Sequence, residues 1–156
     1  PARTERRIRS ACGPTGRRVV AVGKLKEPAF RALCDDYLGR IRRWVRVDEV
    51  EVRDDAALAR ALPTDHWVVA LEVDGERLTS EAFSKKLEQW GAQGKGNVAF
   101  LIGGAEGIPA ELSRRAGMRL SLSSMTLPHR LARVVLLEQI YRGLSITKGE
   151  PYAREG

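Results

Sequence analysis

The chain has 156 residues, 43% of them hydrophobic and 30% charged, which suits one globular domain but not separate catalytic and binding domains. No apolar run approaches the length of a membrane span, so we expect no membrane partner. The N-terminal segment is rich in arginine but lacks the apolar stretch of a signal peptide, and we expect a cytoplasmic protein.

The net charge of +7 is concentrated at the N-terminus. Residues 1–18 contain six arginines and one glutamate, so this segment carries +5 and the remainder only +2. A basic arm of this kind adds phosphate affinity that does not depend on sequence, and an extension without a role is an equally good interpretation. Because residues 13–16 are typical of a linker, we predict a flexible extension over 1–17 and a single domain over 18–156.

The two cysteines, Cys12 and Cys34, have no CxxC or Cys/His spacing. The sequence therefore predicts neither a metal site nor a disulfide. Free thiols agree with a reducing cytoplasm.

The first half of the chain alternates between predicted strands and helices. The apolar run Val19–Gly23 predicts a buried strand. Apolar side chains at three- and four-residue steps then predict a helix over Pro28–Arg42. β-Branched residues favour a strand over Trp44–Val52, and an Ala/Leu-rich segment predicts a short helix over Asp54–Leu62.

The alternation continues through the middle of the chain. The nearly continuous apolar run His66–Val73 predicts a buried strand, and the Asp-Gly pair at 74–75 predicts a turn after it. Thr79 or Ser80 can cap a helix that runs to about Trp90. Asn97–Ile102 predicts the next buried strand.

The C-terminal third ends in a long helix. Pro109–Gly117 predicts a short helix and Met118–Ser123 a strand. Pro128 suits the first turn of a helix over Leu131–Ile146, with Thr126 as its cap, and this helix is apolar almost all round. It must therefore be buried on more than one side, inside the domain or at an oligomer interface. The alternation as a whole indicates a layered α/β domain with a mainly parallel sheet.

Two loops of small residues each follow a predicted strand. The first, Gly103–Gly107, reads Gly-Gly-Ala-Glu-Gly, and the second, Ser121–His129, is rich in hydroxyl side chains. Small residues let a ligand approach the main chain, so a nucleotide-like cofactor is expected. The glycine spacing matches neither the dinucleotide fingerprint nor a P-loop, so ATP hydrolysis is not predicted. From the residues alone, a tight turn and helix capping remain as alternatives.

In order and spacing, these segments resemble the RlmH-type family of ribosomal RNA methyltransferases, a branch of the SPOUT superfamily. The resemblance covers roughly residues 18–155 and is most specific over Leu101–Gly107, Leu122–His129 and Leu131–Tyr152. It implies a deep trefoil knot in which residues 122–152 thread a loop. It also implies a homodimer whose two protomers complete the sites.

The resemblance implies S-adenosylmethionine as the cofactor, held by the knot loops, and no metal. The glycine loop would contact the methionine or ribose part, and the second loop would contact adenine. Carried over residue by residue, the cofactor-binding positions are Leu71, Gly103, Gly104, Ser123, Ser124, Met125, Thr126, Leu127 and Pro128.

The implied reaction is methylation of N3 of pseudouridine 1915 (rRNA nucleotide numbering) in 23S rRNA of the assembled 70S ribosome, in EC class 2.1.1. This nitrogen must lose its proton before or while it attacks the methyl group, whereas the sulfonium donor is already activated. The protein therefore needs mainly to align the reactants and to provide a route for the proton.

The candidate catalytic residues are Tyr152, Arg154 and His129. The family tail usually reads Pro-Tyr-His-Arg-Glu, and this chain has Ala153 in place of the histidine. If that histidine handles the proton in the family, this chain must use His129, water or Tyr152.

Two alternative functions stay open: a SPOUT methyltransferase with another RNA target, and a ribosome-associated RNA-binding protein without turnover.

Overall fold

The computed structural model describes residues 16–62, 64–94 and 96–156, in which strands and helices alternate. The strands are β1 (Gly16–Val22), β2 (Arg46–Val52), β3 (Trp67–Arg77), β4 (Asn97–Ile102) and β5 (Met118–Ser121). The helices are α1 (Pro28–Ile41), α2 (Asp55–Ala61), α3 (Ser80–Gln93), α4 (Ala110–Arg115) and α5 (His129–Lys148), followed by a 3-10 helix, Pro151–Arg154.

The five strands form one sheet in the order β2-β1-β4-β3-β5, and every neighbouring pair is parallel. The apolar strands are buried because helices cover both faces. One face carries a core built with α1, α3 and α5, and the opposite face carries a smaller core built with α2 and α4. The predicted α/β fold with a mainly parallel sheet is confirmed.

Helix α5 runs through the larger core between α1 and α3. Its apolar side chains are buried, among them Leu136, Leu137 and Ile140. Gly143 allows α3 to come close, because a Cβ there would lie 2.8 Å from Leu87 Cδ1, and Ser84 Oγ donates to the Gly143 carbonyl oxygen at 2.7 Å. The expected burial on more than one side is thus provided within the domain.

Strand β3 does not end in the turn that the Asp-Gly pair predicted. It continues to Arg77, and its pairing with β5 shifts between Leu71 and Glu76, both of which pair with Leu120. A Cβ on Gly75 would lie 2.8 Å from the carbonyl carbons of Arg119 and Leu120. Because Gly75 has no side chain, the bulge in β3 can pack directly against β5. The bulge bends the strand without ending it.

Strand β1 begins at Gly16, so the boundary predicted at residue 18 falls inside it. Arg17 is buried, and its guanidinium donates to the carbonyl oxygens of Gly16 and Gly96 at 3.1 and 3.3 Å. Burial lowers the pKa of this guanidinium, and the carbonyl oxygens offset part of that cost. The rest of the predicted extension, with Cys12, lies outside the described residues.

The helix starts agree with the sequence in one case and differ in another. Thr79 caps α3, since its hydroxyl accepts from the Ala82 amide at 3.1 Å. Helix α5 begins directly after Pro128 and has no side-chain cap, so the cap expected from Thr126 is not formed. None of the described helices is long and apolar enough to cross a membrane.

Candidate functional site

A cavity of about 590 Å³ opens at the carboxyl edge of the sheet, beyond β3, β4 and β5. Open parallel sheets bind ligands at this edge, and the volume suits a nucleotide-sized molecule. Segments that follow the three strands supply its walls. They include Leu71, Glu72, Val73, Asp74, Ile102, Gly103, Gly104, Gly107, Ser123, Met125, Thr126, Leu127, Pro128 and His129.

The first wall is the glycine loop after β4. The Gly107 amide donates to the Gly104 carbonyl oxygen at 3.0 Å, and Gly107 has a φ of 81°. A Cβ on Gly103 would lie 2.5 Å from the Gly107 carbonyl oxygen, so no side chain fits there. The tight turn and the ligand-facing wall are therefore the same structure, which presents main chain to the cavity.

The second wall is the loop between β5 and α5. Ser121 Oγ donates to the Ser123 carbonyl oxygen at 2.9 Å, and Ser123 Oγ accepts from the Met125 amide at 3.0 Å. This hydroxyl turn closes around Ser124 and leaves it exposed. Ser124 does not line the cavity, unlike its predicted neighbours at positions 123 and 125–128.

The β3 bulge gives the cavity an acidic rim that the sequence analysis did not predict. Glu72 accepts hydrogen bonds from Ser113 Oγ and Arg119 Nε, both at 2.6 Å. Arg119 also donates to Asp74 at 2.8 Å, and this bond lowers the pKa of Asp74. The rim thus combines two carboxylates with one shared guanidinium. Only the Asp-Gly pair marked this segment in the sequence, and it indicated a turn.

His129 is the one candidate catalytic residue that lines the cavity. It is the first residue of α5, close to the point where the chain leaves β1: a Cβ on Gly23 would lie 3.9 Å from its Cε1. Its Nδ1 is buried and has no hydrogen-bond partner among the residues that the structure describes. A neutral imidazole with a free ring nitrogen can accept a proton.

A buried ionic network fixes the start of α5 beside the cavity. Arg133 is fully buried and lies 2.5 Å from Glu51 Oε2, and it also donates to the Gly23 carbonyl oxygen at 3.1 Å. Arg31 of α1 lies 2.7 Å from Glu49 Oε1. Burial opposes the charge of Arg31, but the hydrogen bond and charge of Glu49 outweigh it and raise its pKa.

This network could have been suspected from two features of the sequence. Glu49 and Glu51 are two residues apart in a predicted strand, so both face the same side of the sheet. Arg133 interrupts an otherwise apolar helix, which favours a paired, buried charge over a solvated one.

Tyr152 and Arg154 lie away from the cavity of their own chain. The Tyr152 hydroxyl donates to Glu138 Oε1 at 3.0 Å and shares a hydrogen bond of 3.0 Å with the Tyr37 hydroxyl. Glu138 is nine residues after His129 in α5, which is about 13 Å along the helix axis. Within one chain, His129 therefore lies at the cavity with the two loops, whereas the tail lies against Glu138 and Tyr37, away from the cavity.

Comparison with known proteins identifies the family of this chain. The family described as predicted SPOUT methyltransferase matches residues 17–153. A ribosomal RNA large subunit methyltransferase H from Sorangium cellulosum (strain So ce56) is 52% identical, with 86% of this chain and 97% of the relative covered. Proteins of the same name from Clostridium kluyveri and Bifidobacterium animalis subsp. lactis are each 40% identical, with 86% of this chain and 96% of each relative covered.

The chain belongs to the SPOUT methyltransferase family, which confirms the resemblance drawn from the sequence. Membership implies a methyl donor as cofactor.

Proposed function

We propose that the protein transfers a methyl group from S-adenosylmethionine to N3 of a pseudouridine in 23S rRNA of the assembled 70S ribosome, in the cytoplasm. The observation that carries the proposal is the cavity, where both small-residue loops of the family meet at the carboxyl edge of the sheet. Its relatives are named ribosomal RNA large subunit methyltransferase H, which supports ribosomal RNA as the substrate.

The residues present fit this cofactor. The cavity has a suitable volume, and Gly103, Gly104 and Gly107 line it, so this wall has no side chains at these three positions to keep a ligand from the main chain. S-Adenosylmethionine supplies a methyl group on a positively charged sulfur. Eight of the nine predicted residues line the cavity and would hold it: Leu71, Gly103, Gly104, Ser123, Met125, Thr126, Leu127 and Pro128.

The proton on N3 needs an acceptor, and this chain offers His129. Its buried Nδ1 lacks a partner among the described residues and sits at the cavity. Burial and the hydrogen bond with Tyr37 raise the pKa of Tyr152, so its hydroxyl stays protonated near neutral pH. Because its one hydrogen is donated to Glu138, Tyr152 suits stacking on the base, with Arg154 close by in sequence to contact phosphate.

A homodimer would bring the tail of one protomer to the cavity of the other. Within one chain, Tyr152 contacts Glu138, which is nine residues after His129 in α5. In this conformation the tail of a chain therefore cannot complete the site of the same chain. Large apolar side chains are exposed around α1, α5 and the cavity loops, which a second copy could cover. They are Leu33, Val73, Met125 and Leu131.

The path of the C-terminal segment supports the knot that the family implies. Strand β5 lies at one edge of the sheet, next to β3. The chain then crosses the carboxyl edge through residues 122–128 and enters the core as α5, between α1 and α3. Residues 122–152 thus reach the interior of the domain from the carboxyl edge of the sheet, which is compatible with the implied threading.

Methyl transfer from radiolabelled S-adenosylmethionine to assembled ribosomes, free 23S rRNA and transfer RNA tests the proposal. We expect label in ribosomes lacking the modification and little in the other two. Label in transfer RNA instead would indicate another RNA target. Cofactor binding in calorimetry without label in any RNA would indicate an RNA-binding protein without turnover, and either result would overturn the proposal.

A further inference from the structure

A basic surface lies at the edge of the sheet opposite the cavity. It consists of Arg43, Arg46 and Lys148 around Trp44, and we refer to it as the amino-edge surface. Trp44 and Arg43 belong to the tight turn between α1 and β2, and Arg46 is the first residue of β2. The Lys148 ammonium lies 5.7 Å from the centre of the Trp44 ring, so the end of α5 lies beside the turn between α1 and β2.

The charges of this surface are not balanced locally. Arg43 and Arg46 are exposed, and no carboxylate within the described ranges forms an ion pair with either of them or with Lys148. The nearest acid along β2, Asp48, is paired with Arg18 at 3.4 Å. By contrast, the exposed Arg119 at the cavity rim is paired with two carboxylates. Three cations in one place, without a paired carboxylate in the described part of the chain, attract an anion.

We infer that the amino-edge surface binds the phosphate backbone of RNA, away from the cavity of its own chain. Trp44 stacks on Tyr141 with ring centres 5.2 Å apart and an angle of 11°. One face of the indole is therefore covered, which favours phosphate contacts over base stacking. The three cations surround no exposed large apolar side chain among those described, which disfavours insertion into a lipid surface.

The position of this surface sets what it can do. Strand β2 is seven residues long, and parallel strands rise about 3.3 Å per residue, so the surface lies about 20 Å from the carboxyl edge. It cannot touch a base in the cavity of its own chain. It can hold a second part of a large, folded RNA, and phosphate contacts of this kind position a partner without reading its sequence.

A basic part of the sequence precedes β1, the neighbour of β2 in the sheet. Gly16 of β1 pairs with Arg46 in the register of β1 and β2, and the sequence upstream of Gly16 contains Arg3, Arg6, Arg7 and Arg9. The sequence therefore carries further positive charge at residues 3–9, upstream of the strand that borders the amino-edge surface.

This inference rests on the proposed function only for the identity of the RNA. The full-length double variant Arg43→Glu/Arg46→Glu is compared with Arg60→Glu/Lys85→Glu, which makes the same change in charge at exposed positions of α2 and α3. Binding of ribosomal RNA is measured over a range of salt concentrations. Methyl transfer is measured as KM and kcat, cofactor binding by calorimetry, and folding by thermal unfolding.

We expect the amino-edge variant to bind RNA at least about tenfold more weakly, with the slope of log affinity against log salt reduced by about 2. Its KM for ribosomes should rise while kcat at saturation and cofactor affinity stay unchanged, and the control should differ little from wild type. The milder double variant Arg43→Gln/Arg46→Gln should have an RNA affinity between those of wild type and the charge-reversal variant. It replaces the charge-reversal variant if that one fails to fold.

An RNA affinity and salt slope equal to those of the control would overturn the inference, even if wild type methylates ribosomes as proposed. Conversely, if wild type transfers no methyl group to any RNA but the amino-edge variant still loses RNA affinity, the proposed function fails and the surface stands.

Discussion

Gly103 and Gly107 approach so closely that a Cβ on Gly103 would lie 2.5 Å from the Gly107 carbonyl oxygen. The atoms in the way are main chain, so they can move only if the turn that lines the cavity opens. Gly104, its neighbour, differs, because a Cβ there would lie 3.3 Å from Val22 Cγ1, at the end of a side chain. The first wall of the cavity therefore depends on glycine at 103 more than at 104.

Replacement of Gly103 by alanine should disturb both the cavity and the fold. We expect a loss of about 1–3 kcal/mol in the free energy of unfolding, as in other overpacked sites, and at least about tenfold weaker cofactor binding, or 1.4 kcal/mol. Gly104→Ala is the matched control and should retain most of its stability. Urea unfolding and calorimetry check both, and equal effects at the two glycines would contradict this interpretation.

Arg133→Met should destabilise the protein strongly, because it leaves Glu51 buried without its closest cation. Removal of one partner from a buried pair costs about 3–5 kcal/mol. The double variant Arg133→Met/Glu51→Gln removes the stranded charge and should recover part of that loss. Urea unfolding measures all three chains. A single substitution that costs less than about 1 kcal/mol would show that the network does not hold α5 in place.

Tyr152→Phe should loosen the tail but keep its ring against Tyr141, whose ring centre is 4.5 Å away. The lost hydrogen bonds to Glu138 and Tyr37 should cost about 1–2 kcal/mol and reduce methyl transfer. Because the Tyr37 and Tyr152 hydroxyls bond to each other, Tyr37→Phe combined with Tyr152→Phe should cost less than the sum of the two. Strictly additive costs would mean that this bond does not form in solution.

Ala153→His restores the residue that the family tail usually has. We expect methyl transfer to be preserved or raised if the tail takes part in the reaction, since position 153 lies between Tyr152 and Arg154. Initial rates with ribosomes check this, with thermal unfolding as the control for folding. A lower rate in a stably folded variant would show that this chain uses a different arrangement.

Cys34 should be inert in the folded protein. Burial, together with the negative charge of Glu49, raises the pKa of its thiol to about 11, and the thiolate is the reactive form. A Cys12→Ser chain leaves Cys34 as the only thiol. Its reaction with a thiol reagent at neutral pH should be slow until denaturant is added, and rapid reaction in the native state would contradict the burial.

Local signals predicted the elements whose ends are set locally. β4 matches its predicted bounds because an apolar run lies between a glycine-containing turn and a glycine pair. The long C-terminal helix was visible because proline and apolar periodicity both mark it. The loops that line the cavity were recognised for a related reason, since glycine and hydroxyl residues report on backbone shape.

Features that depend on distant partners were missed. The bulge in β3 exists because β5 lies against Gly75, and the sequence around Asp74 alone favours a turn. The exposed position of Ser124 is an exception, because the hydroxyl bond beside it, between Ser123 and Met125, is local. The acidic rim unites residues of β3, α4 and β5. The role of the tail stays a prediction, because Glu138 and Tyr37 hold Tyr152 away from the cavity of its own chain and only a second protomer could bring it to a site.

The proposed reaction is tested most directly by mapping the product on ribosomes that lack the modification, after incubation with the protein and S-adenosylmethionine. Mass spectrometry of 23S rRNA fragments should find one added methyl group, on N3 of the stem-loop pseudouridine, and Gly103→Ala should strongly reduce it. A methyl group on another nucleotide, or none despite measurable cofactor binding, would contradict methylation of this pseudouridine.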